Sequence, residues 1–186
     1  MGQIYVTSDL HFCHNRGFLY TPRGFNSIEE ANETIVKNYN SVVNPDDEIY
    51  LLGDLMLNDN EKGMELLKQL KGKIHIVFGN HDTDTRKNLY KTLPNVVEVG
   101  DALRFKYCGY HFYCSHYPTL TGNLEKESLK KMEINLFGHT HQKDEFYEDR
   151  PYMFHVGLDS NNNYPVNIKT IIEKCENKVK ECLEML

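Results

Sequence analysis

The 186-residue chain lacks the marks of several protein classes. It has no run of about 18 apolar residues and no apolar segment near its N-terminus, so neither a membrane span nor a secretory signal is expected. Its five cysteines, Cys13, Cys108, Cys114, Cys175 and Cys182, are odd in number and contain no C-x-x-C. That argues against a disulfide framework or zinc knuckle and for a reducing, cytoplasmic setting. Positive charge is scarce too: 21 Lys and Arg against 27 Asp and Glu leave a formal net charge of -6. Strong nucleic-acid binding is not expected without a basic face, although a small local anion site stays compatible. There is no internal repeat, low-complexity tract or linker. The length suits one core, so residues 1–186 read as a single domain.

What is present is ordinary for a globular protein, with 40% hydrophobic and 26% charged residues. Ile4 to Val6 read as a buried strand, and residues 12–26 (FCHNRGFLYTPRGFN) as a loop without periodicity. Ser27 and Glu30 form a capping box, and Ile28, Ala31, Ile35 and Tyr39 recur at helical spacing to about Val42. EIYLL and KIHIVF read as buried strands, separated by a helix over 61–71 that Gly72 stops. A short helix is expected from Thr85 to Leu93. Alternating strands and helices predict a right-handed α/β arrangement with a parallel sheet. The second half is richer in strands: VVEVG, LRFKYCGYHFYCS with Gly109 at a hairpin turn, EINLFG and YMFHVG. These predict a second sheet stacked on the first. From Ile168 to Leu186, Ile168, Ile172, Cys175, Val179, Cys182 and Leu186 form an apolar stripe. Packing on the domain is the simpler reading, with Cys175 and Cys182 as buried apolar residues. A short coiled-coil seam, and so a homo-oligomer through this helix, is the alternative.

The strands share an ending. Asp9 and His11 follow the first, Asp54 follows EIYLLG, and Asn80 and His81 follow IHIVFG. His116 follows FYCS, and His139 and His141 follow INLFG. Each motif alone has a plain explanation: Asp9 could cap a turn, His11 could be a surface histidine, and G-N-H-D could be a turn. Together they repeat one format, a hydrophobic run and then a metal-competent side chain. In open α/β sheets, residues just beyond strand carboxyl ends converge on one crevice.

In that order, D-x-H, G-D, G-N-H-D, a lone His and G-H-x-H resemble the calcineurin-like metallophosphoesterase superfamily over residues 9–141. SDLHFCHN, the downstream Arg23 and Phe25, and the tail GLDSNNNYPV resemble its small bacterial and phage-type members. That subgroup usually reads Gly-His after D-L-H-F; here Cys13 precedes His14, which leaves the ligand positions untouched and the role of that glycine open. The resemblance implies an α/β fold of two stacked mixed β-sheets flanked by helices, a four-layer α-β-β-α sandwich. It implies two divalent metal ions, Mn, Fe, Zn or Ni. One would take Asp9, His11 and His141, the other Asn80, His116 and His139, with Asp54 bridging. A metal-bridging hydroxide would attack a phosphomonoester or phosphodiester in line, and His81 would face the leaving-group oxygen as proton donor or electrostatic stabiliser.

Elementary chemistry agrees with that implication. Carboxylate, imidazole and amide donors suit these ions and disfavour a thiolate-loving one. Two ions can share a water, lower its pKa and clamp an in-line displacement. Two carboxylates do not neutralise two divalent ions, so such a centre attracts phosphate despite the acidic chain. Three residues are weaker candidates for substrate binding. His14 could reach the site or be a loop surface histidine. Arg23 could fork onto a phosphate oxygen or be solvated, and Asp82 could orient His81 or shape a turn. His75, His111 and His155 sit in strands and read as packing or edge residues, and Cys13 has no base partner for a nucleophilic role. A nuclease or dinucleotide pyrophosphatase on the same site, or a binding scaffold of the same fold with little activity, are the competing readings. The complete ligand set favours an enzyme over a scaffold. The absence of a large cap domain, with acidic KDEFYED after the last ligand, favours a small phosphoester substrate.

Overall fold

A computed structural model describes residues 2–121 and 128–184. Its first sheet contains strands β1 (Ile4–Thr7), β2 (Glu48–Leu52), β3 (Lys73–Val77) and β4 (Val96–Gly100), with β9 (Val166–Asn167) at the edge beside β1. β1 to β4 are mutually parallel and β9 runs antiparallel to β1. The second sheet has the order β5 (Ala102–Tyr107), β6 (Tyr110–Ser115), β7 (Glu133–Phe137) and β8 (Met153–His155). Its first pair is an antiparallel hairpin and the others are parallel. Cys108 and Gly109 turn that hairpin with φ of 49° and 81°, the left-handed pair that matches strand twist. Among the described residues the α-helices are α1 (Gly17–Tyr20), α2 (Ile28–Val42), α3 (Asn60–Leu67), α4 (Asp84–Tyr90) and α5 (Ile168–Glu184). The chain therefore forms two mixed sheets with flanking helices, as expected.

The two cores explain why the strands are hydrophobic without interruption. In β2, Ile49 and Leu51 enter a core shared with Ile35 and Tyr39 of α2 and Met64 and Leu67 of α3. Tyr50 and Leu52 face the other way, into a core shared with Phe112, Ile134 and Phe154 of the second sheet. A strand covered on both faces has no polar side to show. In β3 the same alternation sends Ile74 and Ile76 to the helix side and Val77 to the second sheet.

Local chemistry sets the helix ends. The Glu30 amide donates to Ser27 Oγ at 3.1 Å, while the Glu30 carboxylate accepts from the Asn26 amide at 2.8 Å. The return bond of the capping box thus lands one residue early. On α5, Ile168, Ile171 and Cys175 are buried with the second core, and Ile172 and Val179 pack against it. Cys182 is only half-buried, and Leu186 lies outside the described residues.

Several expectations need correction. VVEVG is a strand, but as β4 it pairs with β3 in the first sheet rather than joining the second. The loop expected over 12–26 contains α1 and a single 3-10 turn at Thr21–Arg23. The helix expected over Thr85 to Leu93 runs from Asp84 to Tyr90, because the Thr83 side chain caps it one residue earlier. α3 ends at Leu67, before Gly72.

Candidate metal centre

The ends of β1 and β2 run on side by side after the strands stop. Main-chain bonds from Asp9 N to Gly53 O, His11 N to Asp54 O and Phe12 N to Leu55 O, each 3.0 Å, tie the two loops together. Asp9, His11 and Asp54 have φ of 56°, 50° and 55°. Between them Leu10, Phe12 and Leu55 are buried in the helix-side core. The left-handed residues reverse the chain at alternate positions, so the apolar side chains anchor the loop while the ligands face the site. His139 and His141 are also left-handed, at 67° and 48°. Glycines precede ligands for a steric reason: a Cβ at Gly79 would collide with the Asp54 carboxylate, and one at Gly138 with Asp9 Oδ2 and Ser8.

The structure brings all seven expected ligands together. His11 Nε2 lies 3.2 Å from His141 Nε2 and 3.7 Å from Asp9 Oδ1, and His141 Nε2 is 3.9 Å from Asp9 Oδ1. Asp9 Oδ2 accepts bonds from Ser8 Oγ (2.6 Å) and His139 N (3.0 Å). Asp9 Oδ1, although buried, has no hydrogen-bond partner. On the other side, Asn80 Oδ1 sits 2.8 Å from His116 Nε2 and 2.9 Å from His139 Nδ1. His116 Nδ1 donates to the Leu52 carbonyl at 2.8 Å, which leaves Nε2 a lone pair aimed into the site. Between the two groups stands Asp54. Its Oδ1 accepts from His81 N at 2.8 Å, and its Oδ2 is 3.5 Å from His116 and 3.9 Å from His11. An orphaned buried carboxylate oxygen facing converging imidazole nitrogens fits a cation.

Electrostatics point the same way. Burial penalises the charged form of His11 and carries its pKa down to about 4, so it is a neutral donor near pH 7. Burial also lowers His139, with the neighbouring His116 adding to the effect. For Asp9, burial works upward, but the neighbouring imidazoles of His11, His141 and His116 outweigh it electrostatically and hold the carboxyl well below the usual range. Asp54 is the exception: desolvation, only partly offset by His116, lifts it to about 6. In the metal-free protein this carboxylate is under-compensated.

The remaining candidates separate. His81 is half exposed on the cavity wall, with its ring 4.0 Å from Asp54 Oδ2. Its main chain is clamped, because its carbonyl accepts from the Arg86 guanidinium at 2.6 Å. His14 lines the cavity, and its Nδ1 is 3.3 Å from His11 Nδ1. Arg23 and Asp82, expected as substrate contacts, are not among the side chains that line it. Arg23 is buried and forks onto Asp159, Nε to Oδ1 at 3.0 Å and a terminal nitrogen to Oδ2 at 2.8 Å. Asp82 is buried beneath the site, accepting from the amides of Asp54 (2.9 Å) and Gly79 (2.8 Å) and from the Tyr90 hydroxyl (2.7 Å). It shapes the loop and does not touch the His81 ring. His75 stacks on Tyr50 at 4.3 Å between Glu48 and Glu98, and His155 is buried with its Nδ1 on Ser160 Oγ at 2.8 Å.

One functional residue escaped the sequence reading. Asp159 Oδ2 is 2.8 Å from His141 Nδ1, so it fixes the tautomer that leaves Nε2 free. Burial works to raise its pKa, yet bonds from His141 and Arg23 hold it well below the usual carboxylate range. The same bond raises His141, against its burial. The only sequence signal was the tail GLDSNNN, which gave no role to its aspartate.

The chain is similar to several known proteins. An uncharacterized protein of Methanocaldococcus jannaschii is 33% identical over 181 residues, covering 95% of this chain and 93% of that one. A solved protein of unknown function from Aquifex aeolicus superposes with a TM-score of 0.70 at 23% identity, covering 93% of this chain and 99% of that one. The E. coli phosphoesterase Yfce superposes at a TM-score of 0.46 and 16% identity over 83% of this chain and 78% of that one. The sequence profile of the calcineurin-like phosphoesterase superfamily domain matches residues 3–170, which spans every strand and all seven candidate ligands. The chain belongs to the calcineurin-like phosphoesterase superfamily.

Proposed function

We propose that this protein hydrolyses small phosphomonoesters or phosphodiesters with two divalent metal ions. The observation that carries the reading is the buried, unpartnered Asp9 Oδ1 facing two histidine nitrogens, beside a second group on Asn80, with Asp54 between them. Asp9, His11 and His141 would hold one ion, and Asn80, His116 and His139 the other. Asp54 is the carboxylate positioned to serve both. When bound, two such ions supply Lewis acidity at a phosphoryl oxygen and lower the pKa of a shared water. The chain supplies the rest. Leu52 and Asp159 fix the tautomers of His116 and His141. Asp82 holds the Asp54 loop against the Gly79 loop through paired amide bonds. His81 stands on the open wall with its backbone anchored to Asp54 and Arg86, so its ring can deliver a proton to a departing oxygen.

The test is an add-back assay. Protein stripped by chelator is loaded with Mn, Zn, Ni or Mg and offered a panel of aryl and alkyl phosphomonoesters and diesters. Hydrolysis should be absent without metal and return as occupancy approaches two ions per chain. No hydrolysis of any panel member at full occupancy would reject the reading.

A further inference from the structure

The cavity over these ligands has a volume of about 580 Å³, a size suited to an organic molecule rather than to a phosphoryl group alone. Its lining is of two kinds: polar side chains that include Asp54, Asn80, His11, His139 and His141, and the apolar Phe18, Leu19 and Pro22. Phe18 is 76% exposed, the most exposed large apolar side chain among the described residues. The segment that carries it is anchored. Its neighbour Leu19 is buried in the molecule, and Lys143 Nζ donates to the Pro22 carbonyl at 3.0 Å. Arg23, at the end of the following turn, is locked on Asp159. An aromatic side chain that lines a polar site and still meets water is an unfilled contact.

Its direction is given by a row of rings. The His81 and His14 rings lie 6.1 Å apart, and His14 meets Phe18 edge-on at 6.3 Å and 87°. If His81 faces the departing oxygen, the body of the leaving group extends along His14 toward Phe18. We infer that the preferred substrate is a phosphoester whose leaving group carries a planar ring system, as a nucleoside does, stacked on Phe18. This rests on the phosphoesterase reading above and narrows it. Phe18 is then a specificity residue, and a flat ring gains contact there that an alkyl group does not.

Binding separates this inference from the reading it rests on. Two inert phosphonates, naphthylmethylphosphonate and ethylphosphonate, are titrated calorimetrically into metal-loaded protein. The wild type should bind the naphthyl compound roughly ten- to thirtyfold more tightly, the scale of a single base–aromatic stack. Phe18→Ala should bring the two within about threefold, and Phe18→Trp should keep the preference. Because Phe18 is exposed, metal content and thermal unfolding of both variants should match the wild type. A wild type with no naphthyl preference, or with no measurable affinity for either compound, overturns the inference. So does a preference that survives intact in Phe18→Ala. Absence of turnover would remove the phosphoesterase reading while leaving this ratio measurable. In a protein that does turn over, the kcat/KM ratio for naphthyl against ethyl phosphodiesters should move in parallel.

Discussion

Replacing Asp54 by Asn should move stability and activity in opposite directions. In the metal-free protein the Asp54 carboxyl is buried and its pKa is lifted from 3.8 to about 6 by desolvation. A group with a raised folded-state pKa contributes fully below its unfolded value, and its contribution is lost as pH rises through the folded value. The loss therefore develops between pH 3.8 and about 6 and is complete near neutrality. It amounts to about 3 kcal/mol. Asparagine removes the charge and keeps an acceptor for His81 N, which Asp54 Oδ1 now receives at 2.8 Å. Its amide NH2 would stand where Oδ2 lies 3.5 Å from His116 Nε2, a nitrogen left as acceptor by the bond from Nδ1 to Leu52. In chelator at pH 7.5, Asp54→Asn should thus unfold roughly 5–10 °C above the wild type, and the advantage should vanish near pH 4. With metal added the order should reverse, because ions that bind only the native state stabilise the wild type, and phosphoester hydrolysis by the variant should fall by orders of magnitude. Scanning calorimetry at the two pH values, with and without metal, reads all of this. A variant less stable than wild type in chelator at pH 7.5, or equally favoured at pH 4, would refute the reasoning.

Three further substitutions probe the surroundings. His81→Asn should slow alkyl esters by about 10²–10⁴-fold and nitrophenyl esters far less, at two ions per chain; equal losses on both would mark His81 as a phosphate-binding or structural residue. Asp159→Asn should weaken metal binding at the His141 position by about ten- to a hundredfold. It should also destabilise the fold by about 3 kcal/mol, since it leaves the buried Arg23 charge without its partner; unchanged affinity in a metal titration would contradict the orienting role. Cys13 has a φ of 64° and its Sγ accepts a long contact from Asn32. Cys13→Gly should relieve about 1 kcal/mol of left-handed strain and lose some packing, so stability should change little. A collapse of hydrolysis at normal metal content would reveal chemistry at the thiol.

What could be read from the sequence follows from how locally each feature is encoded. EIYLL declares itself because both its faces are buried, so no register with a partner is needed to see it. VVEVG is equally visible as a strand, but its sheet is not, because that depends on pairing with β3. β9 has two residues and no period to detect. At the site, all seven candidate ligands were legible because each closes a hydrophobic run. Arg23 was legible as a residue but not in its role, since its partner Asp159 lies 136 positions away. Asp82 failed for another reason: its neighbour His81 points to the cavity, and the turn sends Asp82 into the floor.

The backbone of the site was the least legible part, and it bears most on function. Five of the seven candidate ligands, Asp9, His11, Asp54, His139 and His141, adopt left-handed φ, which costs an L-residue about 1–2 kcal/mol. No sequence rule assigns that conformation to D-L-H-F. Around Asp9, His11 and Asp54 the neighbours Leu10, Phe12, Leu55 and Met56 are almost wholly buried, which anchors the loops that carry them. The strain is thus offset by the core, before any ion arrives. Ligands held this way need little reordering when a cation binds, so affinity is spent on coordination rather than on assembling the loops. The same logic explains why Asp54 can carry a raised pKa at the centre of the site. Its backbone is held by the bond from its amide to Asp82 and its carboxylate by the bond from His81 N, with the side chain buried.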